Sequence, residues 1–562
     1  MTGRGLSGLF GRTLNGRIRG RTGWWEPVIG LEVHAQLNTP HKLFAPRAPT
    51  KWSNPPNQNV TVIDAAFPGA MPRVNRECVG KALRVIAALG GEIQPWSRFE
   101  RKHYFYPDLP QGYQITQRHW PIGKGGRIQY SSWDAKQVQR TADVMLAAGA
   151  NVTAPSDQTS TLEGATLELA DTNSSNTPLV TESDWLQPIG TIRIEQIQLE
   201  QDTAKSVHDV VAGSTLIELN RAGAPLVEIV MAPDIRSETE AVIVVRKLQE
   251  ILQSIGASDA RMDEGSLRCD VNVSVRPVCD HHTAKAQQLF GTRVELKNLI
   301  SLRLIHQAIQ AEVRRQIGIL EAAHQLNAPP TTPVESLAQE TRGFDPATGR
   351  TVRLRSKEGA PDYRYMPETD VPPLVLTREY MQCVVQPDQL AQRLPDTIRA
   401  RLCEEYGLSL AECHALMLVP TAPAYFEAVV AHTTAAMTIN QRATQALAWI
   451  TSELYGALKM RDMTFTQNPV TSTQLASILT AMHNNTISGK IGKRVLAEML
   501  QTRDKSRTAD VIARDNGWEQ VGDTVLLREI ALKLVVQHPA EVRQCMYLPV
   551  QWIKRLVVIG YT

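Results

Sequence analysis

The sequence predicts an α+β fold, with a mixed or antiparallel sheet in its first two thirds and helices alone in its last third. Three observations carry that expectation. From Trp25 to about Pro373, short segments alternate apolar and polar residues between breaks at Gly, Pro and Asn, which is the period of strands. After about Leu390 the apolar residues recur at three and four positions instead, which is the period of a helix. Finally, 562 residues exceed what one core usually organises, so several domains are expected.

The first segment, 1–24, holds Arg4, Arg12, Arg17, Arg19 and Arg21 with no acid before Glu26 and no continuous apolar run. It fits a mitochondrial transit peptide or a basic disordered arm better than a secretory signal. Without those arginines the body is slightly acidic, although the whole chain carries a formal charge of +3. A nucleic acid would therefore be met by local patches and not by the overall field. The seven cysteines are scattered and nowhere form a CxxC pair, which speaks for a reducing compartment with no disulfide frame and no thiolate zinc site. No run of roughly 18 apolar residues occurs, so no membrane span is expected.

Residues 25–390 form the first expected domain. Within it ECVGKALRVIAALG (Glu77 to Gly90) and SETEAVIVVRKLQEILQSIG (Ser237 to Gly256) read as helices, the second opened by a capping box of Ser237 with Glu240. Residues 146–184, rich in Ser, Thr and Asn, read as an inserted surface loop. So does the stretch near residue 284, whose Cys279, Asp280, His281 and His282 have no spaced partners on a rigid element and read as solvated loop. Residues 391–468 are expected to form a helical domain and 469–562 a helical tail. They divide near Asn468-Pro469, and Thr471 or Ser472 caps the helix that follows.

Chemistry enters through the strands. VIGLEVHAQL (Val28 to Leu37) places Leu31, Val33, Ala35 and Leu37 on one face and Glu32, His34 and Gln36 on the other. SLRCDVNVSV opposes Arg268, Asp270, Asn272 and Ser274 to an apolar face, and RVELKNL does the same with Glu295 and Lys297. Glu228 is the only charge in APLVEIVMAP, and Gln198, Glu200 and Asp202 alternate in IRIEQIQLEQD. One such strand is an ordinary solvated face, but five with acidic faces and few lysines gather carboxylates that repel and resist desolvation. A hard divalent cation held by carboxylates, with a histidine nitrogen at the rim, resolves that cost. Magnesium with open positions receives phosphate oxygens, which points to nucleotide-dependent phosphoryl transfer, although neither a GxxxxGK[ST] loop nor a strand-borne GxGxxG is present.

Two further segments couple aromatic and basic residues. FERKHYFYPDLPQGYQITQ (Phe99 to Gln117) interleaves its rings with Arg101, Lys102 and His103, which suits stacking on a base or ribose while a lysine meets phosphate. ETRGFDPATGRTVRLRSKEGAPDYRYMPETDVPP (Glu340 to Pro373) couples arginines with tyrosines and is weaker evidence for binding an RNA end.

Together these segments resemble the B-type chains of the glutamyl/aspartyl-tRNA amidotransferases, in their mitochondrial form. VIGLEVHAQL, FPGAMPRVN, RKHYFYPDLPQGYQITQ, IQLEQDTAKSVHD, LNRAGAPLVEIV, DEGSLRCDVNVSVRP, RVELKNL, QETRGFDPATGRT, RSKEGAPDYRYMPETDVPPL and TISGKIGKRVLAEML occur in order over nearly the whole chain after Trp25. The resemblance implies a cradle-like catalytic domain on the sheet, a helical domain and a small tRNA-contacting tail. It implies ATP-dependent phosphorylation of glutamate misacylated onto glutamine tRNA, then displacement of phosphate by ammonia from a glutaminase A subunit. A small C subunit would brace the pair.

By the same resemblance Glu32, His34 and Glu228 hold Mg2+, with Glu200 and Asp202 as further metal candidates. Asp270, Glu295 and Lys297 serve the reaction, and Lys102, Tyr104, Tyr106 and Lys205 serve the nucleotide and acceptor end. Related bacterial chains commonly read Glu-Glu-Asp where Glu200-Gln201-Asp202 stands, and Gly where Ala204 precedes Lys205. They also hold zinc by cysteine pairs near LFAPRAPT and VIDAAFPG that this chain lacks, so no zinc is expected. The end, WIKRLVVIGYT, stops short of their lysine-rich turn. An archaeal-type relative would carry a further domain after the DYRY segment, where this chain runs straight into helices. A non-catalytic RNA-binding scaffold would not need Glu32, His34, Glu228, Asp270 and Glu295 together.

Overall fold

A computed structural model describes residues 16–45, 54–149, 185–278, 291–325, 337–356, 362–519, 524–537 and 539. The chain divides into two compact units, Met1–Ile398 and Arg399–Thr562.

The first unit carries the strands. They are β1 (Ile18–Arg19), β2 (Trp24–Gln36), β3 (Glu92–Ile93), β4 (Trp96–Ser97), β5 (Glu100–His103), β6 (Tyr113–Thr116), β7 (Gly123–Lys124), β8 (Arg127–Ser131) and β9 (Pro188–Gln201). There follow β10 (Lys205–Val211), β11 (Ser214–Glu218), β12 (Pro225–Met231), β13 (Leu267–Pro277), β14 (Val294–Leu299), β15 (Glu340–Asp345), β16 (Arg350–Ser356), β17 (Met366–Pro367) and β18 (Leu374–Val375). The main sheet runs β16-β15-β14-β13-β2-β12-β9-β7-β3, with β1 on β2 and β8 on β9. Among the described residues only β14 and β15 pair in parallel, so the sheet is mixed, as the alternation predicts.

One face of this sheet is core. Leu31, Val33 and Ala35 of β2, Val227 and Ile229 of β12 and Val271 and Val273 of β13 are at most 1% exposed. The helices Glu238–Ser254 and Leu302–Gln325 pack on each other, and the second also packs on β13. The three-stranded sheet β17-β5-β6 meets the main sheet through β6 and β9, where Gln114 Nε2 donates to the Gln201 carbonyl at 2.8 Å.

Several local expectations are refined. The first helix runs Arg76–Ala88, capped by the side chain of Asn75 on the Glu77 N–H. Ser237 caps Glu238–Ser254 through the Glu240 N–H, but the Glu240 carboxylate turns instead to the Tyr130 hydroxyl at 2.6 Å and the Arg236 N–H at 2.7 Å, so only half of the expected capping box forms. The helices Ser132–Gly149 and Leu302–Gln325 add to those expected from the sequence. Residues 146–149 end the first of them, and 150–184 and the Cys279 to His282 cluster lie outside the described residues.

Part of the basic arm belongs to the sheet. Ile18 and Arg19 pair with Trp25 and Trp24, and the Glu321 carboxylate accepts from the Thr22 N–H at 3.1 Å and from Trp25 Nε1 at 3.2 Å. Residues 1–15 lie outside the described residues. Just before LFAPRAPT, the fully buried Lys42 Nζ donates to Asp64 of VIDAAFPG at 2.7 Å and to the Asn59 carbonyl at 2.7 Å. Gly223 closes over this pair at φ +75°, where a Cβ would lie 2.6 Å from Asp64 Oδ1.

Described residues of the second unit are helical. Thr471 is the N-cap of Ser472–His483 and completes a capping box with Gln474. The helical run from Ile439 to Lys459 widens to a π turn over Trp449–Leu454, and a Cβ on Gly492 would come within 2.8 Å of the Trp449 ring. No single described helix is long and apolar enough to cross a membrane. The final segment WIKRLVVIGYT lies outside the described residues.

Candidate active site

Register brings the polar residues together. In antiparallel pairs, directly opposite residues share a face. Glu228 stands opposite His34 on one side and Gln198 on the other. Arg268 stands opposite His34, and Asp270 opposite Glu32. Asn272 is opposite Glu295, which pairs in turn with Thr341 on β15. The result is a band of side chains across β9, β12, β2, β13 and β14 on the face opposite the core.

At the centre of the band, His34, Glu200 and Glu228 offer ligand atoms that all lie within 4.8 Å of one another. His34 Nδ1 is 2.8 Å from Glu200 Oε1, and the Thr116 hydroxyl donates to Glu200 Oε2 at 3.3 Å. Gln198 Nε2 donates to Glu228 Oε2 at 2.5 Å, and Gln196 Nε2 donates to Gln198 Oε1 at 2.5 Å. The second contact fixes the orientation of the Gln198 amide, so Glu228 is held by a donor. Glu32 accepts from Asn272 Nδ2 at 3.1 Å, to one side of the triad.

Burial and charge set the protonation pattern. Burial raises the Glu228 carboxyl well above the usual carboxylate range, to about 7, and the neighbouring charges of Glu200 and Glu32 push the same way. Glu200 is equally buried, yet His34, Lys102 and Arg268 hold it ionised and low. Burial opposes the imidazolium of His34, but Glu200, Glu228 and Asp270 outweigh it and raise the group from 6.5 to about 9.

The other expected site residues divide into those at the band and those away from it. Lys297 Nζ bonds Asp270 and lies 3.1 Å from Glu295, which also accepts from Thr341 at 3.0 Å. Lys102 sits over the Tyr363 ring at 5.0 Å, and its ammonium feels Glu200 and Glu228 strongly enough to overcome burial. Tyr104 packs edge-on against Tyr363 at 6.3 Å, and burial pushes its phenol up. Asp202 lies outside the triad and pairs with Arg268 at 2.9 Å and Arg221 at 3.7 Å. Tyr106 is 66% exposed. Lys205 is exposed on the separate β10-β11 ribbon, opposite Glu218.

Sequence reasoning does not select Gln198, Asn272, Arg268, Thr116 or Tyr363 as site residues. The first three share a face with chosen residues two positions away, which is a usable signal. Thr116 and Tyr363 reach the site only through the tertiary placement of β6 and the segment before β17.

The donor set fits a hard divalent cation: two carboxylates and one imidazole converge, and Glu228 is buried beside the further carboxylates of Glu200 and Glu32. Lys102 and the tyrosines beside it could meet phosphate and a nucleobase.

Comparison with known proteins places the chain in a family. Residues 27–382 match the model of the GatB/GatE catalytic domain, and residues 424–557 match that of the GatB domain. The mitochondrial glutamyl-tRNA(Gln) amidotransferase B chain of Phytophthora infestans is 38% identical over 93% of this chain and 88% of its own length. A mitochondrial protein of the same name from Naegleria gruberi is 36% identical over 92% and 87%. The aspartyl/glutamyl-tRNA(Asn/Gln) amidotransferase B chain of Acidiphilium cryptum is 38% identical over 93% and 89%. With a family match over most of its length and relatives above 30% identity end to end, the chain belongs to the GatB/GatE family of tRNA amidotransferase chains.

Proposed function

We propose that this chain, assembled with a glutaminase A subunit and a small C subunit, converts Glu-tRNA(Gln) to Gln-tRNA(Gln) with ATP, Mg2+ and ammonia in the mitochondrial matrix. The observation that carries this reading is the convergence of His34, Glu200 and Glu228, with Lys102 near enough for its charge to feel both carboxylates. The mitochondrial placement draws on the Arg-rich arm and on the names of two relatives.

The reaction requires the γ-phosphoryl group of ATP to pass to the glutamyl side-chain carboxylate, leaving ADP. Ammonia then attacks the acyl carbon, and phosphate departs. His34, Glu200 and Glu228, with Glu32 alongside, would hold magnesium, which when bound supplies charge neutralisation to the phosphates. Lys102 places a fixed positive charge at the transferred group, and its buried setting strengthens that charge. Tyr104 and Tyr363 wall the site. Ammonia must arrive unprotonated, and Asp270 and Glu295, bridged by Lys297, are the carboxylates placed to take a proton from ammonium.

The test is amidation by the reconstituted complex, supplied separately with Glu-tRNA(Gln) and Asp-tRNA(Asn). Gln-tRNA formation dependent on ATP and glutamine is expected. A complex that hydrolyses glutamine but never amidates Glu-tRNA would overturn the assignment.

A further inference from the structure

The aromatic rings of the small sheet continue outward from the carboxylate cluster, in a line that the proposed reaction leaves unused. Beyond the contact of Tyr104 with Tyr363, ring centroids follow at 6.1 Å from Tyr363 to Tyr365, 6.0 Å from Tyr365 to His119, 5.9 Å from His119 to Trp120 and 6.0 Å from Trp120 to Trp96. The inner end lies beside Lys102 and Glu200. The outer end emerges into solvent, with Trp120 39% and Trp96 43% exposed.

Contiguous aromatic surface left in water marks a place where something binds, and here the rings are held in place. The carboxylate of Glu100, 1% exposed, accepts from the backbone N–H groups of Arg118 at 2.8 Å and His119 at 2.7 Å. Its other oxygen is 2.8 Å from His119 Nδ1, which fixes the ring. The backbone of Trp96 is held by its pairing with Val375 on β18, and its ring packs edge-on against Trp120. Rings locked before a ligand arrives lose little freedom when it stacks.

The surrounding charge decides what that ligand is. Arg118 and Arg364 are exposed, and the buried Nε of Arg98 has no hydrogen-bond partner. Arg364 meets Asp362 only at 3.7 Å, with both side chains largely in water. Rings flanked by guanidinium groups suit bases and phosphates of an unpaired strand better than an apolar protein face. We infer that Trp120 and Trp96, with His119 inside them, form a stacking platform for the unpaired 3′ end of the RNA substrate, whose phosphates meet Arg118 and Arg98. This rests on the proposed function, which sets the acyl group at the carboxylate cluster.

The experiment compares binding of the purified complex to glutamine tRNA with and without its last three nucleotides. Wild type is expected to lose about tenfold in affinity when those nucleotides are removed, the scale of one or two stacking contacts. The double variant Trp96→Leu, Trp120→Leu is expected to bind both tRNAs alike, with a rise in KM for Glu-tRNA larger than any fall in kcat. Trp96→Phe, Trp120→Phe keeps the rings and is expected to keep the discrimination, which separates stacking from a folding defect. Undiminished discrimination by the leucine variant overturns the platform. Loss of the partner subunits from that variant with discrimination intact also overturns it, and assigns the patch to a protein interface. Absence of amidation by wild type would instead strike the proposed function, while the binding comparison still decides the platform.

Discussion

Glu228 stands directly opposite His34 across β12 and β2, yet the imidazole bonds Glu200 on β9, the strand beyond. His34 therefore stands between two carboxylates, with Nδ1 engaged by Glu200 and Nε2 left for a further partner. A cation drawn into this arrangement would compete with a proton and would stand close to Lys102, whose ammonium Glu200 and Glu228 already attract.

Removal of one carboxylate is the direct test of the triad. Glu228→Ala, or Glu32→Ala beside it, is expected to lower amidation of Glu-tRNA by at least about 100-fold while glutamine hydrolysis remains measurable. Acid-gel assay of Gln-tRNA reads the first activity and glutamate release the second. Full amidation by either variant would remove that residue from the metal site.

The amide that orients Glu228 is a separate prediction. Gln198→Leu keeps the volume and removes the donor at 2.5 Å from Glu228 Oε2. Partners of this kind typically govern metal affinity by about 10- to 100-fold. The magnesium dependence of amidation should shift to higher concentration by that factor, with maximal rate recovered at saturation. An unchanged magnesium curve would leave Gln198 with a packing role alone.

Acidity of the site sets a pH dependence. The pKa of His34 is raised in the fold, from 6.5 to about 9. The stability it contributes is complete below pH 6.5 and is lost as pH rises through about 9. Metal-free protein is thus expected to lose thermal stability over that interval, and His34→Gln to show no such loss. Magnesium acts in the opposite sense, since its binding requires a neutral imidazole, so affinity should rise with pH and binding should release a proton. Calorimetry in buffers of different ionisation enthalpy counts that proton, and a count of zero would exclude His34 as a ligand.

Much of this site could be read from alternation. Glu32, His34, Glu228 and Glu200 lie within strands where every second side chain shares a face, so their common exposure to one side follows from the sequence. Which strands lie side by side does not, because the order β13-β2-β12-β9 places next to each other segments that are far apart in the chain. Asp202 shows where alternation stops. β9 ends at Gln201, and one residue later the electrostatic pull of Arg268 and Arg221 decides the direction of the side chain. Lys205, three residues further on, already belongs to a different ribbon. The aromatic line is half legible: the tyrosines stand out in the sequence, but Trp96 and His119 are joined to them only by the pairing of β4 with β18 and the anchoring at Glu100.

The buried pair of Lys42 and Asp64 gives a stability prediction independent of function. Both side chains are at most 2% exposed, and Lys42 Nζ also serves the Asn59 carbonyl. Asp64→Ala leaves an uncompensated buried charge, a change that typically costs about 3–5 kcal/mol. Thermal unfolding of the purified protein should show a marked fall in midpoint. Double replacement of Lys42 and Asp64 by apolar residues of similar volume should recover most of it.

The hydrogen bond between His34 and Glu200 spans 166 positions of the chain. The partner of His34 thus lies far along the chain, and Glu228 further still, so the cluster exists only once β2, β9 and β12 have come together. If the cluster holds a divalent ion as proposed, that binding requires the closed sheet, because no one strand carries all three groups. A chain with mispaired strands would leave the three groups apart and the proposed site unbuilt.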